Sequence, residues 1–427
     1  MMHLRNFLQV FALAGSLLLS IPAQEGTADN RRETFEIVWS RVKERHFDPN
    51  LNGIDWDAVR LRYAPRVLAT TNEGDYYRVL NEMLGELKQS HFVVFPPSTY
   101  AGEEVPGSMS TRADIGIEVQ VVQGHATITR VYPSSPGDEA GLRPGYLITG
   151  IGDDSTDTLV RNIAAGNSRP AKTNSLVMRA FRSHMRGDVG SALVIRYLDS
   201  DDVKRVTVIQ RRLPRGLPVK FGELPVYHGY VSNRWLPNGI GYLRLNLFML
   251  PLLDPFREAV RSFHDARAII LDLRGAPGGE IAATTAVAGF FHTNRASLGT
   301  TRLRQGELRR LVLPQPEAFS GPLVILVDEG TYSAAETFAA ALQENGRAKI
   351  VGRPTVGGAL PSVIEKLPTG ARLQYAIGEY RTPKGALLEG RGIQPDVPVE
   401  ITRKSLIEGR DPILESAVDI IKRSRGL

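Results

Sequence analysis

Residues 323–343 read LVILVDEGTYSAAETFAAALQ. The five apolar residues Leu323 to Val327 form a short continuous run, the pattern of a strand buried on both faces. Thr337 to Gln343 follows with a helical pattern, so the segment turns from strand to helix around Gly330-Thr331-Tyr332-Ser333. A hydroxyl at such a turn is lifted out of the sheet, and the free N–H groups and positive dipole end of the next helix can face a developing oxyanion. Ser333-x-x-Glu336 is equally the spacing of a capping box, in which both side chains satisfy N–H groups at a helix start. The turn alone leaves nucleophile and cap both open.

Outward from this segment the same alternation recurs. Ile240–Leu245, Ala268–Leu273 and Lys349–Val351 read as strands, and Pro255–Phe263 and Glu280–Phe291 as helices, which predicts an α/β core with a parallel or mixed sheet covered on both faces. Asp272-Leu273-Arg274-Gly275-Ala276-Pro277-Gly278-Gly279 follows one strand. It lacks the glycine spacing and ribose-binding acid of a dinucleotide loop and the Gly-Lys-Ser/Thr of a phosphate loop. Adjacent glycines let a backbone approach a ligand closely and make candidate oxyanion donors, or they make a tight turn.

Before the core, Arg31–His46 and Asp75–Leu87 carry helical apolar periods, and Ser90-His91 stands where the second gives way to an extended segment. A histidine there serves structure or chemistry according to what the fold brings to it. From about Ser110 to Arg212 the texture becomes short strands: Ile115–Val121, Ala126–Val131 expected to pair with it in register, Tyr146–Ile151, and a hairpin of Ala192–Leu198 with Val203–Gln210. This block resembles a PDZ domain, chiefly through SPGDEAGLRPGYLITGIGD at 135–153. The resemblance implies that Ile115-Gly116-Ile117 offers N–H groups to a peptide's terminal carboxylate beside a strand edge, and it marks Ala164–Arg186 as an insertion.

The chain has 427 residues, 42% of them hydrophobic and 23% charged, enough for two or three domains and too apolar for disorder. The formal charge of +6 is spread along the sequence, which argues against a nucleic-acid stripe. Arg5, the apolar stretch Phe7–Ile21 and the small residue Ala23 predict an export signal with cleavage near Ala23, too short to span a membrane stably. With no cysteine, disulfides, thiol nucleophiles and thiolate metal sites are excluded, which suits a periplasmic or secreted protein.

The motifs in this order resemble the C-terminal processing peptidase family, peptidase family S41: Ser90-His91, the PDZ block, LDLRGAPGGE at 271–280, VDEGTYSAAETFAAALQENGRAKIVGRPTVGG at 327–358 and EGRGIQPDVPV at 389–399. The resemblance implies a crotonase-like (ClpP/crotonase) peptidase core over 213–427, an inserted PDZ domain at 109–212, a helical N-terminal domain at 24–108 and a signal at 1–23. It further implies an exported serine endopeptidase needing no cofactor or metal, acting on proteins or peptides with free C-termini, with homo-oligomerisation left open. Gly358 stands twenty-five residues past Ser333, where the Ser/Lys branch carries its lysine. The chain therefore resembles the tricorn-core-like branch, which implies a catalytic set of Ser333, His91, Ser90 and Glu389, with Gly278 and Ala334 as oxyanion N–H donors. A non-catalytic PDZ adaptor on a peptidase-like core is the alternative, and acyl-CoA chemistry fits an exported chain poorly.

Overall fold

Hydrophobic stripes that cannot be buried within one element set the architecture, seen here in a computed structural model that describes residues 28–100, 112–167 and 169–425. The segment read as an export signal lies outside the described residues. Three helices come first: α1 (Ala28–Arg45), α2 (Trp56–Leu68) and α3 (Glu73–Gly85). Asp55 and Asn72 cap α2 and α3 by accepting the N–H of Ala58 and Asp75. Periodicity had marked only α1 and α3. Their apolar faces, with Phe35, Val38, Leu80 and Leu84, close against Leu367, Leu373 and Tyr375 of a hairpin far along the chain and Leu360 just before it. The N-terminal helices thus share a core with the hairpin Ser362–Lys366/Arg372–Ala376 and do not form one alone. Strand β1 (Val93–Phe95) seals the contact by pairing antiparallel with Arg372–Ala376, Val93 opposite Gln374. That pairing anchors the Ser90-His91 turn just before it.

The inserted unit is an antiparallel sheet in the order β2 (Ile117–Val122), β3 (His125–Val131), β4 (Leu147–Ile151), β5 (Ala192–Leu198) and β6 (Lys204–Gln210). A bulge between Glu118 and Val119 interrupts the simple register expected for β2 and β3. Between β4 and β5 run α4 (Thr156–Ala165) and α5 (Pro170–Met185). The reading of Ala164–Arg186 as an insertion needs correction, because Val177, Phe181 and Met185 of α5 pack with Ile115, Ile117 and Val119 in the core of this unit. Spaced four residues apart, those three side chains form one helical stripe, and burying it holds α5 along the edge strand β2.

In the last unit a six-stranded sheet runs β7 (Val231–Leu236), β8 (Ile240–Leu245), β9 (Ala268–Asp272), β10 (Leu323–Val327), β11 (Ala348–Gly352) and β12 (Val397–Pro398). Only the β7–β8 pair is antiparallel. Side chains alternate along each strand, so Leu243, Ile269, Leu271, Ile325 and Ile350 meet helices α6 (Leu253–Arg261), α7 (Ile281–Gly289) and α8 (Ala334–Glu344). Tyr242, Ile270, Val324 and Val351 meet Ile413, Ala417 and Ile421 of α9 (Pro412–Arg425) on the other face. The sheet is covered on both sides, as continuous apolar strands require.

A charge cluster joins this sheet to the inserted unit. Arg244 on β8 contacts Glu118 at 2.7 Å and Asp272 at 3.0 Å, Arg274 reaches Asp272 and Asp411 at 2.8 Å each, and Arg130 lies 3.3 Å from Asp272. Burial alone would raise the Asp272 pKa, but Arg274, Arg244 and Arg130 hold it well below the usual carboxylate range.

Candidate active site

Two strand ends meet at the carboxyl edge of the sheet, each followed by a glycine-bearing turn. Asp328, just past β10, binds them together: its Oδ1 accepts the N–H of Gly275 at 2.8 Å, of Gly330 at 2.9 Å and of Thr331 at 3.1 Å. Tyr332 N–H donates to Ala276 C=O at 2.9 Å, and Thr331 Oγ1 donates to Leu273 C=O at 2.8 Å. So fixed, the β10–α8 turn carries Ser333 at φ 55° and ψ −122°, a conformation L-residues rarely adopt. The capping box is present, with Glu336 accepting the Ser333 N–H at 3.1 Å. The Ser333 hydroxyl also faces His91, its Oγ 3.2 Å from Nε2.

From His91 the polar contacts continue without a gap. Nδ1 lies 2.7 Å from Ser90 Oγ, which donates to Glu389 Oε2 at 2.9 Å. Glu389 also accepts the N–H of Ser90 at 2.7 Å and of Ala359 at 2.9 Å. A serine has one proton. Given to Glu389, it leaves Ser90 Oγ only as an acceptor for His91 Nδ1–H, so the lone pair of Nε2 faces Ser333. Such an arrangement can draw the proton from Ser333 and hold the ring in the tautomer that does so. Burial, and less strongly the Arg179 guanidinium, push the His91 pKa well below its ordinary value, while burial raises that of Glu389 against its three hydrogen bonds.

On the other side of Ser333 stands Gly278 at φ 105°; a Cβ there would lie 2.8 Å from Ser333 Cβ and 2.9 Å from Ala334 N. Only glycine permits that approach. Neither Gly278 nor Ala334 gives its N–H to a protein acceptor among the described residues, and Phe248 N–H holds the Gly278 carbonyl at 2.8 Å. Two N–H groups beside a serine hydroxyl can accept a developing oxyanion between them.

Ser333, His91, Ser90, Glu389, Gly278 and Ala334 are thus brought together. Ile115, Gly116 and Ile117 are not among them: they sit at the start of β2, with both isoleucine side chains in the core of the inserted unit and the Gly116 N–H taken by Asp114 at 2.9 Å. Two features escaped the sequence. Tyr332 stacks on His91 with ring centroids 5.2 Å apart, and it fills the space beside Gly358, where a Cβ would lie 2.0 Å from Tyr332 Cε2. Glu336, beyond its capping bond, accepts from Thr355 Oγ1 at 2.5 Å and from the N–H of Gly357 and Gly358 at 2.7 and 2.9 Å. Burial pushes its pKa up to about 7. The paired glycines at 357–358 were the only sequence signal for either feature.

Residues 239–399 match the model of peptidase family S41, and residues 27–85 that of the tricorn protease C1 domain. A carboxyl-terminal-processing protease of Synechocystis is 27% identical over 394 residues, covering 90% of this chain and 85% of that protein. Among solved structures, a photosystem II D1 C-terminal processing protease superposes with a TM-score of 0.59 at 20% identity, covering 87% of this chain and 93% of its own. Mature CPAF gives 0.63 at 14% identity, covering 92% and 97%. The two structures speak to the fold.

Proposed function

Because the chain belongs to peptidase family S41 and is a serine-type peptidase acting on proteins, we propose that Ser333 is its nucleophile, His91 its general base and acid, and Ser90 with Glu389 the pair that orients the base. The observation that carries this reading is the unbroken run of contacts from Ser333 Oγ to Glu389, at 3.2, 2.7 and 2.9 Å. His91 Nε2 takes the Ser333 proton as Oγ attacks the scissile carbonyl, and the oxyanion settles between the N–H groups of Gly278 and Ala334. The proton then passes from His91 to the leaving amine, and water repeats the sequence on the acyl-enzyme. A fluorophosphonate probe should label the protein with the adduct on Ser333; an adduct on another residue, or none, overturns the assignment.

A lysine base at 358 is disfavoured by Tyr332 itself. Gly358→Ala would force that ring off His91, so a loss of at least about tenfold in kcat with little change in KM is expected, as when an orienting contact to the base is lost. Unchanged kcat in this variant would remove Tyr332 from the site's support.

Substrate tails would enter through the inserted unit, whose β2 lies at a sheet edge with Gly116 at φ 71° beside it. A peptide carboxylate there must displace Asp114 from the Gly116 N–H. Charge-assisted bonds contribute on the order of 1.5 kcal/mol or more, so amidating a tail should lower kcat/KM about tenfold. Equal turnover of free and amidated tails would exclude this role for Ile115-Gly116-Ile117. Export follows from Arg5, Phe7–Ile21 and Ala23. The mature protein should begin near Gln24, and an intact Met1 on the functional enzyme would count against export. Among the described residues no helix is long and apolar enough to cross a membrane.

A further inference from the structure

Helix α5 and its flanks, Arg169 to Arg186, contain four arginines and one lysine and no Asp or Glu. The structure assigns partners to three of these cations. Arg169 donates to the carbonyls of Gly390, Val356 and Arg391, Arg182 donates to Gly275 C=O at 3.3 Å, and Arg186 covers the Tyr227 ring. Lys172 and Arg179 have no carboxylate within ion-pair distance among the described residues, and both are exposed. Seven residues apart, they lie on one face of the helix about 10 Å from each other. That face runs beside the Ser333–Glu389 chain. Arg179 sits over the Tyr332 ring, 5.6 Å from its centroid, and Tyr332 stacks on His91. Lys172 acts electrostatically on Glu389 at the other end.

An unpaired guanidinium one ring away from the general base is a liability for catalysis unless something neutralises it. When Ser333 attacks, His91 becomes an imidazolium, and Arg179 repels that charge. The groups facing the ring are Ser90 and Glu389 behind it, Tyr332 and Ser333 on the β10–α8 turn, and Arg179 on α5; only Glu389 is an anion, and Ser90 separates it from the ring. A second anion supplied from the open side would relieve the repulsion at the step where it matters.

We propose that Arg179, with Lys172 two turns before it, forms an anion subsite that takes a carboxylate of the bound chain close to the scissile bond, either an Asp or Glu side chain or the free C-terminus. The subsite rests on the peptidase reading above and adds a charge preference to it. Since the carboxylate both binds and offsets repulsion of the imidazolium, the preference is written in kcat as well as in KM.

The test is a set of fluorogenic peptides with Glu, Gln or Lys placed in turn on each side of the scissile bond, all amidated, and a second set of short peptides with free or amidated C-termini. At a separation of this order one charge pair should give about a tenfold preference in kcat/KM for the Glu peptide over its Gln isostere. Arg179→Glu should invert the preference toward Lys, and Lys172→Glu should do so more weakly. If Arg179→Glu changes only the free-against-amidated ratio, the carboxylate is the substrate's terminus. If it changes neither set while fluorophosphonate still labels Ser333, the subsite is overturned. A wild-type chain that neither labels nor cleaves casein removes the peptidase reading, and the subsite with it.

Discussion

Ser333→Ala and His91→Ala are each expected to lower kcat by about 10⁴- to 10⁶-fold, because the proposed nucleophile and base would act as one unit and losing either would abolish the same proton transfer. Ser90→Ala and Glu389→Gln should cost less, since the part proposed for Ser90 and Glu389 is only to hold the Nδ1–H tautomer of His91. Lys349→Ala, Lys366→Ala and Lys384→Ala should leave kcat near wild type; Lys349 is drawn to Asp396 and Lys384 is exposed. An active His91→Ala enzyme, or one of these lysine variants losing all turnover, would mean that another group serves as base. The pH profile carries the same assignment. Sequence alone places the acid limb near the free imidazole value of about 6.5. Burial pushes His91 below that value, so its ring stays neutral and able to accept the Ser333 proton into more acidic solution. The acid limb of kcat/KM should therefore fall below pH 6.5, and a limb at or above that value would contradict the electrostatics of the site.

Asp272→Ala is expected to destabilise the fold by about 3–5 kcal/mol, because it removes the fully buried carboxylate that Arg244, Arg274 and Arg130 share and leaves only Glu118 and Asp411, at the edges of the cluster, to offset three cations. The Tyr242 hydroxyl, 2.5 Å from Asp272, would lose its acceptor as well. Since Glu118 and Arg130 belong to the inserted unit and Asp272 and Arg244 to the sheet, the seam between the two units should loosen first. Denaturation followed by circular dichroism, together with limited proteolysis near β2, reads both effects. A midpoint within error of wild type would show that the surrounding arginines repack without cost.

Sequence by itself determined what depends on near neighbours. Continuous apolar runs at Leu323–Val327 and Ala268–Leu273 required buried strands, and the Gly-Thr-Tyr-Ser turn after the first required a strand-to-helix junction with a serine at the helix start. Motif order brought Ser333, His91, Ser90 and Glu389 forward as one candidate set, and the structure places them in hydrogen-bonded contact. What the sequence could not carry was any relation that exists only once distant segments close on each other. Helix α2 has only a narrow stripe of Trp56, Val59, Tyr63 and Val67, interrupted by polar residues, and its burial is decided by the helices beside it. Residues 164–186 looked like an insertion because their apolar positions have meaning only against β2. Glu336 read as a helix cap, yet in the fold it gathers the N–H groups of Gly357 and Gly358. The Tyr332 ring, rather than any property of Gly358, determines why no side chain stands there. Likewise the unpaired Arg179 becomes a feature only where α5 meets the turn that holds Ser333. The physical reason is common to all of these: periodicity and turn chemistry act within a few residues, while hydrogen-bond demand, steric exclusion and charge act through space.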